Sequence, residues 1–173
     1  MSTGNNRQLA SIITKHHNEL LAGWLDRMLS RLVRRDLAAE TEIRQQATRF
    51  LPLLAKSIEN DETANIESAA WQETRQLLTE ISQARVRQGF NSIETAYFVF
   101  SLKTPLFAYL RTSLSDDPQT LVEETTKTSV LFDDLGLFTV AIFQKSREQV
   151  IMSQQQELLE LSTPVVQLWK DVL

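Results

Sequence analysis

From Pro118 to Ser162 the chain carries no strong helix breaker, and only Gly136 weakens the run. Continuous helix over about 40 residues would extend about 60 Å at 1.5 Å per residue. A chain of 173 residues folded as one body has a radius of gyration of about 15–16 Å. Such a helix cannot lie wholly inside the body it belongs to. Its composition shows where it departs. LFDDLGLFTVAIF is rich in core residues, whereas QKSREQVIMSQQQELLE is mostly polar, with Val150, Ile151, Met152, Leu158 and Leu159 as its apolar members. The pattern predicts a first half buried in a bundle and a second half leaving it. Asp117 is placed to cap this helix, with Pro118 at its first position.

The rest of the chain must then supply the bundle. Only four glycines and four prolines punctuate it, which favours long helices. A first helix is expected from Asn5 or Asn6, with Leu9, Ile12, Ile13, Leu20 and Trp24 at helical spacing. The apolar face rotates past Gly23, which predicts a kink or boundary there. The basic cluster RLVRRD reads as a helix end favoured by the macrodipole. A second helix spans about 41–58, bent or split by Pro52. After the polar loop ENDETAN, a third carries Trp71, Leu77, Leu78 and Ile81 and stops at Gly89. Asn91 and Glu94 form the pattern of a capping box, with Phe90 placed as a staple residue. The helix they open is apolar nearly all round, as a central bundle helix is, and Pro105 should kink it. The fold class is all-α, a helical bundle with a long C-terminal linker helix.

A net charge of −4 argues against a nucleic-acid surface. The chain has no cysteine, which excludes disulfides, thiolate zinc sites and cysteine nucleophiles. MSTGNNRQLA is not a secretory signal. YFVFSLKTPLFAYL, interrupted by Lys103 and Pro105, is too short to span a bilayer, so no membrane partner is expected.

A polar helix leaving a domain is stabilised by pairing. Leu135, Ile142, Gln149 and Gln156 fall at heptad spacing, as do Leu131, Phe138, Lys145, Met152 and Leu159. The seam suits a parallel homodimer, with Phe138, Ile142, Gln149 and Met152 as its candidate contacts.

Candidate chemistry is sparse. His16 and His17 are the only histidines, and adjacent helical residues point about 100° apart, so they cannot clamp one metal as residues four apart can. Asp116–Asp117, Glu123–Glu124 and Asp133–Asp134 do not converge for the same reason. No phosphate-cradling glycine loop and no nucleophile motif is present. No catalytic residue, no metal site and no enzyme is expected. Arg85 and Arg87 precede Gly89, either pairing with Glu94 or another carboxylate across the turn or holding an anionic ligand. Tyr97, Phe100, Phe107 and Tyr109 read as core, or as the lining of a pocket for an apolar ligand.

The last residues, ELSTPVVQLWKDVL, break the helical pattern at Ser162-Thr163-Pro164, and Val165, Val166, Leu168 and Trp169 read as the start of a strand. QQQELLELSTPVVQLWKDVL resembles the connector and first strand of the STAS domain in RsbR-type proteins, the RsbT co-antagonists of the bacterial stressosome. ISQARVRQGFNSIETAYFVFSLK resembles the N-terminal domain of their RsbRD branch, with Arg85, Gly89, Phe90 and Glu94 at the recognisable positions. The resemblance implies residues 1–143 as a helical sensor domain, 144–161 as a linker helix, and 162–173 as the start of a truncated STAS domain with a short terminal strand. It further implies a cytoplasmic, non-enzymatic, homodimeric stress-response module. Through the STAS domain it would work with an RsbS-type scaffold protein and an RsbT-type kinase. Some sensor domains of this kind are globin-like and some bind haem, which would make His16 and His17 the candidate ligands. A globin-type proximal histidine would sit on a later helix, and the later helices have none. Without haem, no cofactor is expected.

Overall fold

One helix dominates the architecture, and it is longer than the sequence pattern required. A computed structural model describes residues 5–32, 36–61 and 63–172. In chain order it shows α1 (Asn5–Lys15), α2 (His17–Ser30), α3 (Leu37–Asn60), a 3-10 turn (Ala69–Trp71), α4 (Gln72–Arg87), α5 (Ser92–Phe100), α6 (Lys103–Ser113) and α7 (Pro118–Val172). Every regular element among the described residues is helical, so the protein is all-α. Helix α7 runs for 55 residues. Asp117 caps it as expected, its Oδ1 accepting from the Thr120 N–H at 3.0 Å and its Oδ2 from the Thr120 hydroxyl at 2.6 Å. Buried residues occur along α7 from Glu124 to Ser146, where it packs on α4, α5 and α6. From Arg147 onward every described residue is exposed.

The segment after Ser162 is helix, not strand, and Pro164 lies inside it. Val165 and Val166 favour a strand only where partner strands accept their backbone groups. No strand exists among the described residues, and a helix satisfies those groups locally. The hydrogen bond that Pro164 cannot donate is lost at an exposed position, where water replaces it.

The other prolines act differently from one another. Pro52 neither splits nor ends α3; it sits on the solvent face of one continuous helix. Pro105 does more than kink its helix. It lies in the first turn of α6, and the chain breaks four residues earlier, between α5 and α6. At the break the Leu102 N–H turns to the Val99 carbonyl at 3.2 Å, releasing the Phe98 carbonyl. The Trp24 indole N–H of α2 takes its place, donating to Phe98 O and to Ser101 Oγ, both at 2.9 Å. Trp24, Phe50 and Phe98 then pack as a trio with ring centroids 4.9–5.7 Å apart, which joins α2, α3 and α5 at the centre of the core.

The boundary expected at Gly23 lies instead at His16. Its backbone (φ −108°, ψ 29°) leaves the helical region, and its ring stacks on Tyr109 of α6 with centroids 4.3 Å apart. Gly23 lies within α2, facing Pro105. Arg31 follows the end of α2; Val33, Arg34 and Arg35 of the basic cluster lie outside the described residues. Among the described residues no helix is long and apolar enough to cross a membrane.

Between α3 and α4 the loop is tied to one carboxylate. Asp61 accepts from the Thr63 N–H (2.9 Å) and hydroxyl (2.6 Å), the Ser68 hydroxyl (3.2 Å) and the Trp71 indole (2.8 Å). Burial alone would raise its pKa, but these donors together outweigh burial and hold the carboxyl below its ordinary value. Because the folded pKa is depressed, the contribution to stability is present above the unfolded value of about 3.9 and is lost as pH falls through the folded one. Asp61→Asn is expected to cost about 1–2 kcal/mol at neutral pH, the low end for charge-assisted bonds because the loop borders water. Urea unfolding of both proteins should show this gap narrowing below about pH 4.

Candidate functional site

Two local motifs build one end of the bundle. Helix α4 stops in a Schellman turn: Gly89 takes φ 77°, its N–H reaches the Val86 carbonyl at 3.2 Å, and the Phe90 N–H reaches the Arg85 carbonyl at 3.0 Å. Two residues later the expected capping box closes. Asn91 Oδ1 accepts from the Glu94 N–H (2.8 Å), and Glu94 Oε2 accepts from the Asn91 N–H (3.0 Å). The chain thus reverses within a few residues and sets Arg85, Phe90 and Glu94 around one space. Phe90 lies under the Arg85 guanidinium, 4.6 Å from the ring centroid.

That space is a cavity of about 220 Å³ between the end of α2, the start of α3, the end of α4 and the start of α5. Its floor is buried: Met28, Ile43, Arg85 and Phe98. Arg31, Asn91 and Ile93 are exposed and form its mouth; Leu32, Phe90, Glu94 and Tyr97 stand between. Arg31 lies over the Tyr97 ring at 4.9 Å.

Arg85 is the unusual member. It is 2% exposed. Its Nη2 donates to Gln46 Oε1 at 2.8 Å, while Nη1 has no hydrogen-bond partner. The pairing with Glu94 expected from sequence does not form: among the described residues no carboxylate lies within 4.0 Å of the guanidinium. Burial lowers its pKa to about 10, against the opposing charges of Glu42 and Glu94, so it stays a cation at neutral pH. Glu42 is engaged with Gln46 and Gln88. Arg87 is exposed.

The structure separates the aromatic residues that sequence grouped as a pocket. Tyr97 lines this cavity, whereas Phe100, Phe107 and Tyr109 do not. Phe107 and Tyr109 pack against the core, the latter under His16. Phe100 lies against α7 at Gly136, where an added Cβ would be 2.2 Å from its Cζ. Gly136 thus marks a close approach of α5 and α7. The two histidines also part: His16 faces Tyr109, while His17 borders a groove with Leu51 and Pro52. The two rings therefore have different surroundings.

On α7, Phe138 and Ile142 are half-buried in the bundle, and Gln149 and Met152 are exposed. Leu159 of the same seam is exposed as well, and a second exposed apolar row runs beside it. Val130, Leu137, Ile151 and Leu158 are all exposed, with Gln144 between Leu137 and Ile151 completing a strict seven-residue repeat. Asp133 is exposed and pairs with Lys103 at 2.6 Å.

Sequence reasoning singled out Arg85 but missed its burial. The signal was present: Thr74, Leu77, Leu78, Ile81 and Arg85 share one helical face, so Arg85 occupies a core position of α4.

No curated protein and no solved structure matches the chain. Residues 18–158 match the family described as the RsbT co-antagonist protein rsbRD N-terminal domain. That span begins in α2 and ends within the exposed half of α7, so it takes in the cavity, the Gly136 contact and the departure of α7 from the bundle. The chain belongs to the rsbRD N-terminal domain family.

Proposed function

We propose that this domain is the non-enzymatic sensory and dimerisation module of a stressosome RsbR-type regulator in the cytoplasm. It passes a stress signal along α7 to a STAS domain that, with an RsbS-type scaffold, controls an RsbT-type kinase. One observation carries the reading. Helix α7 is both a wall of the bundle core, from Glu124 to Ser146, and an exposed rod beyond it, with no flexible linker between the two parts. A rigid helix transmits rotation or translation that a Gly/Ser linker would dissipate.

Inserting two glycines after Ser146 of the full-length regulator tests this. The bundle should keep its unfolding transition, and stimulus-dependent kinase release should be lost. Normal release by the insertion variant would reduce α7 to a tether and leave the domain a structural spacer.

Dimerisation uses the uncovered heptad row of α7, whose apolar residues face water in the single chain. Ile151→Lys with Leu158→Lys is expected to shift the protein from dimer to monomer in sedimentation at about 10–100 µM, without loss of helix in the bundle. An unchanged sedimentation coefficient would place the dimer contact elsewhere.

A further inference from the structure

We propose that the cavity between α2, α3, α4 and α5 binds a small apolar monocarboxylate, whose carboxylate the Arg85 guanidinium receives. A buried guanidinium with a free Nη1 on the floor of an apolar cavity is an incomplete interaction. A cation out of water is costly unless an anion and hydrogen bonds satisfy it, and the planar guanidinium fork matches a carboxylate in geometry. The protein supplies one neutral acceptor, from Gln46 to Nη2, and leaves the buried Nη1 without one.

The cavity's charge and size limit the ligand. Among its lining residues Arg85 and Arg31 are cations and Glu94 an anion, and Glu42 opposes Arg85 from outside the lining, so the site suits no more than one negative charge. Glu94 Oε2 is engaged with the Asn91 N–H. The body of the ligand would meet Met28, Leu32, Ile43, Tyr97 and Phe98. An engineered cavity of about 150 Å³ holds benzene. The 220 Å³ here takes a ring of that size with a carboxylate, or a short alkyl chain with one. Dinucleotides and porphyrins are too large.

The site itself stands on the cavity's geometry; only its role as the input to α7 rests on the sensory reading above. Its walls make that role mechanically direct, because α4 and α5 are both packed on α7.

The test is titration of the uniformly 15N-labelled chain with benzoate and with hexanoate, followed by amide shifts and calorimetry. Benzyl alcohol, similar in shape but neutral, is the comparison. Saturable benzoate or hexanoate binding is expected with Kd about 1 mM or tighter, and shifts centred on Arg85, Phe90 and Tyr97. Benzyl alcohol should bind at least about tenfold more weakly. Arg85→Met should remain folded, because an apolar side chain of similar length suits the floor, and should lose the preference for the anion. Should Arg85→Met not fold, Arg85→Lys serves: it keeps the charge, loses the fork, and should bind benzoate several-fold more weakly.

Three results would overturn the assignment. They are no saturable binding of either acid up to about 10 mM, benzyl alcohol binding as tightly as benzoate, or unchanged benzoate affinity in the folded Arg85 variant. These measurements need no STAS domain or kinase. A failure here therefore leaves the α7 reading standing, and failure of the glycine insertion leaves the binding site standing.

Discussion

Trp24→Ala is expected to destabilise the protein by about 3–5 kcal/mol, the range for removing a fully buried large aromatic. Two effects add. The cavity opens where three helices meet, between Phe50 and Phe98. The Phe98 carbonyl, already released from α5 by the break before Pro105, also loses the indole N–H that donates to it. Trp24→Phe separates the two effects, because it keeps most of the volume and should cost about 1–2 kcal/mol for the lost hydrogen bonds. Against a usual total of about 5–15 kcal/mol, the alanine variant should show a large drop in its urea midpoint. A change below about 1 kcal/mol would mean that the trio is not the organising centre of the core.

Gly136→Leu is the second large effect, at about 3 kcal/mol. Even the first carbon of a side chain at 136 would overlap the Phe100 ring. Either the ring leaves its position or α7 separates from α5, and overpacking of this kind costs about 1–3 kcal/mol or more. Gly136→Ala sets the same clash against a gain in helix propensity of about 1 kcal/mol, so its net cost should be smaller. Phe100→Ala should remove the conflict, and a double-mutant cycle should show a coupling of at least about 1 kcal/mol between the positions. Strict additivity would show that α5 and α7 do not depend on this contact.

The features legible in the sequence were those fixed within a few residues. The Asp117 cap, the Asn91–Glu94 box and the Gly89 stop each depend on local backbone geometry, and each is present. The departure of α7 from the bundle was legible because burial follows composition along one helix. The α1–α2 boundary was not, because His16 stacks on a ring supplied by α6, and no local pattern encodes that contact. The strand expected after Ser162 failed for a related reason. Valine and tryptophan favour a pleated surface, and that preference is empty without neighbouring strands. The cavity was hidden because an unfilled volume is what remains after four helices have packed, although the core register of Arg85 marked one of its walls. Grouping Tyr97, Phe100, Phe107 and Tyr109 as one pocket ignored the break between α5 and α6, which turns their rings toward different neighbours.

The exposed half of α7 also has a mechanical consequence. Between Gly136, where the helix bears on Phe100, and Val172 there is about 54 Å of uninterrupted rise. With Gly136 as fulcrum, a tilt of about 5° moves the far end by about 5 Å, roughly the pitch of one helical turn. The same tilt moves the packed ends of α7, at Glu124 and Ser146, by only about 1.3–1.6 Å. The arm multiplies displacement and divides force in the same ratio. Whatever it acts on must therefore yield to a weak push over a long stroke, as an interface between loosely held domains does and a packed core does not.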